Sequence, residues 1–137
     1  MIGVVIIAHE DLGDALIRCV THVLGSRPGK LESLVVGSHD DALNMLPQAR
    51  KLVASLDEGE GVLILSDIYG GTPCNLACKL IAPGRIEVVA GVSLPMLVRA
   101  LTYRDRGLSM MASKAVSGGR DGVLHVEPSL IHATTRS

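Results

Sequence analysis

Three parts of this chain hold chemistry once they are brought together: His9, Asp67 and the turn Gly70-Gly71-Thr72. A histidine that donates one ring nitrogen to a carboxylate has a fixed tautomer, and its other nitrogen is free to act as a nucleophile. A glycine turn leading into a helix offers backbone N–H groups and, here, the Thr72 hydroxyl to an anion. Histidine, carboxylate and anion nest together describe a place where a phosphoryl group is carried on a ring nitrogen and held by fixed donors. Such a site needs neither metal nor cofactor. Taken singly, the parts say less. A lone histidine at a strand end is more often satisfied by hydrogen bonds, and a glycine pair before Thr72-Pro73 is first of all a tight turn.

The elements that must position these residues are marked in the sequence. Gly61-Val62-Leu63-Ile64-Leu65 is a continuous apolar run, suited to a central parallel strand buried on both faces. It leads through Ser66-Asp67-Ile68-Tyr69-Gly70-Gly71 to Thr72-Pro73-Cys74-Asn75, after which Leu76, Ala77, Leu80 and Ile81 recur at helical spacing. Thr72 is the expected N-cap and Pro73 the first helical residue. Residues 2–8 read as a first buried strand, with His9, Glu10 and Asp11 at its carboxyl end. Leu12, Ala15, Leu16, Cys19, Val20, Val23 and Leu24 form the apolar stripe of an amphipathic helix.

Residues 31–36 are a second strand, and Ser38 with Asp41 is spaced as a capping box for a helix reaching about Leu56. Pro47 within that helix demands a kink or a late start. Residues 85–90 read as a fourth strand, and Gly91-Val92-Ser93-Leu94-Pro95 opens a helix carrying Leu97, Val98 and Leu101. Residues 108–117 suit a further helix that Gly118-Gly119 should break, and residues 122–126 a short last strand. Strands alternating with helices imply an α/β fold: three layers, a mostly parallel sheet in the order 2-1-3-4, and the short last strand at an edge. In that order the carboxyl ends of strands 1 and 3 flank the topological switch point, which brings His9 to Asp67 and the glycine turn. The expected organisation is one domain over residues 1–127 and a C-terminal tail over 128–137.

Composition narrows the class. A chain of 137 residues suffices for one domain with a real core. Net charge is −1 with the signs mixed, and there is no Trp or Phe and only two Tyr, so nothing resembles a basic, aromatic nucleic-acid surface. No run of about 18 apolar residues suggests a membrane span, and the start lacks the basic leader and cleavage site of a signal peptide. Cys19, Cys74 and Cys78 make an odd count without a zinc pattern, as expected of reduced thiols in a cytoplasmic protein. His22, His39, His125 and His132 have no setting comparable to that of His9.

The chain resembles the EIIA components of the mannose class of the bacterial phosphoenolpyruvate–sugar phosphotransferase system, from Ile2 to about Val126. The resemblance rests on Val4-Val5-Ile6-Ile7-Ala8-His9, on residues 61–75, and on Val88-Val89-Ala90-Gly91-Val92-Ser93-Leu94-Pro95-Met96-Leu97. It implies that His9 accepts a phosphoryl group from phospho-HPr, that Asp67 orients the ring and that Thr72 helps bind the group. It further implies a cytoplasmic homodimer, with the last strand exchanged between subunits, and onward transfer to an EIIB partner serving a membrane EIIC/EIID complex. Members usually have Gly directly after the active histidine, where this chain has Glu10. The end at Ser137 leads to the expectation of a separate rather than fused EIIB. Rival readings are a phosphocarrier for dihydroxyacetone kinase, a receiver domain with Asp67 as acceptor and Glu10 and Asp11 as magnesium acids, and a small-anion binding module.

Overall fold

The structure is a computed structural model and describes residues 1–129. Its four strands are β1 (Gly3–His9), β2 (Leu31–Val36), β3 (Val62–Ser66) and β4 (Ile86–Ala90). They form one parallel sheet in the order β2-β1-β3-β4, as expected. The helices are α1 (Leu12–Leu24), α2 (Ala42–Leu56), α3 (Thr72–Cys78), α4 (Leu94–Thr102) and α5 (Leu108–Asp121), with a single 3-10 turn at Arg104–Arg106.

Alternation along the two central strands sets the three layers. Val4, Ile6, Ala8, Leu63 and Leu65 pack with Ile17 and Val20 of α1, Leu97 and Ala100 of α4, and Met111 and Ala115 of α5. Val5, Ile7, Val62 and Ile64 turn the other way, onto Ala49 and Val53 of α2 and Leu76 and Ala77 of α3. Both faces of β1 and β3 are therefore dry, which is why their sequences read as unbroken apolar runs.

The structure corrects several local expectations. The N-cap of α2 is Asp41, whose side chain accepts from the Asn44 N–H at 2.9 Å, whereas Ser38 lies in a turn tied by the Gly37 N–H to Asp40 at 2.7 Å. The start is late, and Pro47 sits within the second turn of an unbroken helix. The N-cap of α3 is Gly71 rather than Thr72, and the helix ends at Cys78, before the buried Leu80. Helix α5 is not broken at Gly118-Gly119. Those glycines face α4: a Cβ on Gly118 would lie 2.7 Å from the Cβ of Arg99, and one on Gly119 would lie 2.9 Å from Cε of Met96. Close helix packing, not a stop, is what they serve.

Residues 122–126 form no strand in the single chain. Gly122 caps α5, and Val123, Leu124 and Val126 stand 81%, 67% and 62% exposed among the described residues. The expected tail lies, beyond residue 129, outside the described residues.

Candidate functional site

In the β1–β3 register Ile7 pairs with Ser66, so His9 and Asp67 emerge side by side at the carboxyl edge of the sheet. The His9 backbone N–H donates to Asp67 Oδ2 at 2.9 Å, and the ring Nδ1 lies 2.7 Å from the same oxygen. An ionised carboxylate only accepts, so Nδ1 carries the proton and donates it. Nε2 is thereby left as the free nucleophilic nitrogen. The His9 side chain is 48% exposed and that of Asp67 only 13%, so the ring opens outward over a sheltered carboxylate.

Burial alone would raise the Asp67 carboxyl pKa, but donation by the His9 backbone and ring, helped by the Ile68 N–H, outweighs it and holds the group below its ordinary value. Asp67 is therefore an anion at neutral pH. Its other oxygen, Oδ1, and the hydroxyl of Ser66 are buried without a hydrogen-bond partner among the described residues.

The turn over residues 67–71 passes against the free side of the ring. A Cβ on Gly71 would lie 3.1 Å from Cε1 of His9, 3.7 Å from Nε2 and 3.1 Å from Cγ2 of Ile68. Gly70, at φ +88°, makes the reversal that brings Gly71 there. Thr72 opens α3 and, with Gly71 as N-cap, its hydroxyl is not the helix cap. The structure brings His9, Asp67 and Gly71 together, and Gly70 and Thr72 flank Gly71 in the chain. With no side chain on the N-cap, the N–H groups of Thr72 and Cys74 have no capping side-chain acceptor.

Sequence reasoning missed the backbone of Glu10. Its φ is +51°, in the left-handed region, and its N–H donates to the Val36 carbonyl at 2.9 Å. The usual glycine of the resembled family at this place is the signal that pointed to such a conformation. The Glu10 and Asp11 side chains are exposed. Among the described residues no three His, Cys, Asp or Glu side chains stand together as a metal site, so the acid cluster of a receiver domain is not assembled. His22, His39 and His125 are exposed, His39 in the loop after β2 at the carboxyl edge of the sheet, and His132 lies outside the described residues.

The family model described as the PTS system fructose IIA component, EIIA-man, matches residues 3–116. The chain belongs to this family. It is 34% identical over 127 residues to the mannose-specific EIIAB component of Escherichia coli K12, a match that covers 89% of this chain and 38% of that protein. The chain therefore spans well under half the length of that relative. It is 31% identical over 106 residues to the fructose-specific EIIA component of Bacillus subtilis, covering 77% of this chain and 72% of the relative. In fold it is similar to the EIIA component of Streptococcus agalactiae, with a TM-score of 0.80 at 21% identity over 91% of this chain and 97% of that one. No helix among the described residues is long and apolar enough to cross a membrane.

Proposed function

We propose that this EIIA-family chain is a cytoplasmic phosphocarrier that takes a phosphoryl group from phospho-HPr onto Nε2 of His9 and passes it to an EIIB partner, indirectly serving a membrane EIIC/EIID complex. The observation that carries the reading is the 2.7 Å pairing of Nδ1 with Asp67, which leaves Nε2 free beside the Gly71 turn. In the forward step the Nε2–P bond forms as the donor's bond to phosphorus breaks; in the onward step the Nε2–P bond breaks as phosphorus bonds to the EIIB acceptor. The His9 ring gains positive charge as the bond forms, and the Asp67 anion stabilises it. Backbone N–H groups at Gly71-Thr72 and the Thr72 hydroxyl hold the phosphoryl oxygens. Residues 1–127 form the carrier domain.

Charge at the site mouth suits a basic donor. The four loops after the strands carry Glu10, Asp11, Asp40, Asp41 and Asp67, and no lysine or arginine. Incubation with phosphoenolpyruvate, enzyme I and HPr is expected to place an acid-labile, base-stable label on His9. Label that survives in His9→Ala, or base-labile label on Asp67, would overturn the proposal.

Glu10 is expected to act on encounter, not on chemistry, because its exposed carboxylate stands at that acidic mouth. The substitution Glu10→Gly should slow transfer from HPr and reduce its salt dependence, while the lifetime of phospho-His9 barely changes. Stability should rise by no more than about 1.5 kcal/mol. Relief of the left-handed backbone, about 1–2 kcal/mol, is offset by glycine's larger unfolded entropy, about 0.5–1 kcal/mol. A longer-lived phosphohistidine with unchanged HPr kinetics would place the carboxylate's effect in the site instead.

The chain is also proposed to be a homodimer. β4 is an edge strand, and Val123, Leu124 and Val126, exposed among the described residues, follow α5. Pairing of residues 122–126 with the other subunit's sheet edge would satisfy both. Light scattering at micromolar concentration should return twice the chain mass; a monomer would refute the exchange.

A further inference from the structure

We propose that Ser66 is a positioning residue for the His9 site, its buried hydroxyl holding Asp67 through one ordered water shared with Oδ1. The kinetic consequence rests on the phosphocarrier reading; the water does not. Alternation along the strands puts Ser66 beneath the site. Val5, Ile7, Val62 and Ile64 face the α2–α3 layer. Two residues further on, at the ends of the same strands, His9 and Ser66 face it too. The His9 ring lies against Gly71, the N-cap of α3, as that face requires. In the sheet Ser66 stands between Ile7 and Ala90, one step below His9 and directly before Asp67.

The main chain does not use this hydroxyl. The Ser66 carbonyl accepts from the Val92 N–H at 2.9 Å, and the Asp67 carbonyl from the Gly91 N–H at 2.6 Å. Ser66 is fully buried, and neither its Oγ nor Asp67 Oδ1 has a hydrogen-bond partner among the described residues. Consecutive residues, with Cα atoms about 3.8 Å apart, thus each bring one unsatisfied oxygen to the floor of the site. Buried polar atoms left dry are costly, and folded proteins satisfy nearly all of them with protein or water. Two O–H···O bonds of about 2.7–2.8 Å let one water join oxygens up to about 5.5 Å apart.

The donor and acceptor count fits water better than an ion. A carboxylate oxygen only accepts, while a hydroxyl gives one hydrogen and accepts. The water donates to Oδ1 and receives the Ser66 O–H, which meets the usual minimum of two polar partners for a buried water. A hard cation wants about six oxygens, and an anion would meet the Asp67 charge. The effect on His9 is indirect. Oδ2 takes both His9 donors, the backbone N–H and Nδ1. A water on Oδ1 fixes the plane of the carboxylate, and through it the tautomer of the ring and the aim of Nε2.

The test compares the full chain with Ser66→Ala, which removes the hydroxyl and little else. A high-resolution crystal structure of the wild type should show one water within hydrogen-bond distance of both Ser66 Oγ and Asp67 Oδ1. In the variant the denaturant midpoint should fall, and the His9 Nδ1–H signal in NMR should exchange faster with solvent. Transfer from phospho-HPr should slow about tenfold, the lower end of the cost of losing an outer partner of a functional side chain. A hydroxyl that is merely buried gives the opposite result, because deleting an unsatisfied group raises the midpoint and leaves the ring alone. A raised midpoint, an unchanged Nδ1–H signal, or a crystal structure with no such water would overturn the proposal. Failure of the wild type to take label on His9 would instead overturn the phosphocarrier reading, and the crystal and NMR results would still decide the role of Ser66.

Discussion

Replacing Asp67 with asparagine is expected to slow phosphoryl transfer to His9 by roughly 10²- to 10⁴-fold, the range for losing a catalytic histidine's carboxylate partner, while leaving the fold intact. One carboxylate oxygen, Oδ2, accepts both from the His9 backbone N–H at 2.9 Å and from Nδ1 at 2.7 Å. The amide cannot replace it cleanly. With its NH₂ toward His9, donors face donors, and the ring must turn or change tautomer. With its oxygen toward His9, the NH₂ takes the place of Oδ1, which is buried with no partner among the described residues. In either orientation the charge that stabilises a phosphorylated ring is gone. Single-turnover transfer from phospho-HPr measures the effect; wild-type rates in a folded variant would reduce Asp67 to a structural role.

The same substitution should appear in the acid limb of stability. Because the folded Asp67 carboxyl sits below its ordinary value, its pairing adds stability that is fully present above the unfolded carboxyl's pKa. That contribution fades as pH falls through the lower, folded value. Asp67→Asn should therefore differ most from wild type near neutrality and converge with it in acid. A constant offset at every pH would assign the difference to packing.

What was legible in the sequence follows from where physics is local. The unbroken apolar runs at residues 2–8 and 61–65 mark strands buried on both faces, and two such strands belong in the middle of a parallel sheet. From that order, the meeting of His9 with Asp67 follows. What was not legible depends on partners far along the chain. Gly118 and Gly119 look like a helix stop until Arg99 and Met96 of α4 are seen against them. Val123, Leu124 and Val126 have strand-like apolar spacing, but a strand needs an edge, and among the described residues they pair with none. Thr72 has the chemistry of a cap, yet Gly71 takes that place because the turn must pass close to the His9 ring.

That close passage makes Gly71→Ala the sharper probe of the turn, with an expected loss of about 10²-fold in transfer rate, the scale of an ångström-sized misplacement. At φ −82° and ψ 174°, the backbone of Gly71 is open to any residue, so the substitution carries no conformational strain. The methyl group alone acts. It would stand 3.1 Å from both Cε1 of His9 and Cγ2 of Ile68, closer than ordinary carbon contact. Ile68 is 63% exposed and can move aside, but the ring is tethered to Asp67. Either the methyl shields Nε2, or the ring swings and gives up its 2.7 Å bond. Gly70→Ala is the contrasting case. That residue sits at φ +88° with nothing within 4 Å of an added Cβ, so it should lose about 1 kcal/mol of stability and keep its chemistry. Denaturant melts and transfer rates on the two variants separate the effects. A folded Gly71→Ala that transfers at the wild-type rate would show that the ring has room to spare and that the turn serves only to start α3.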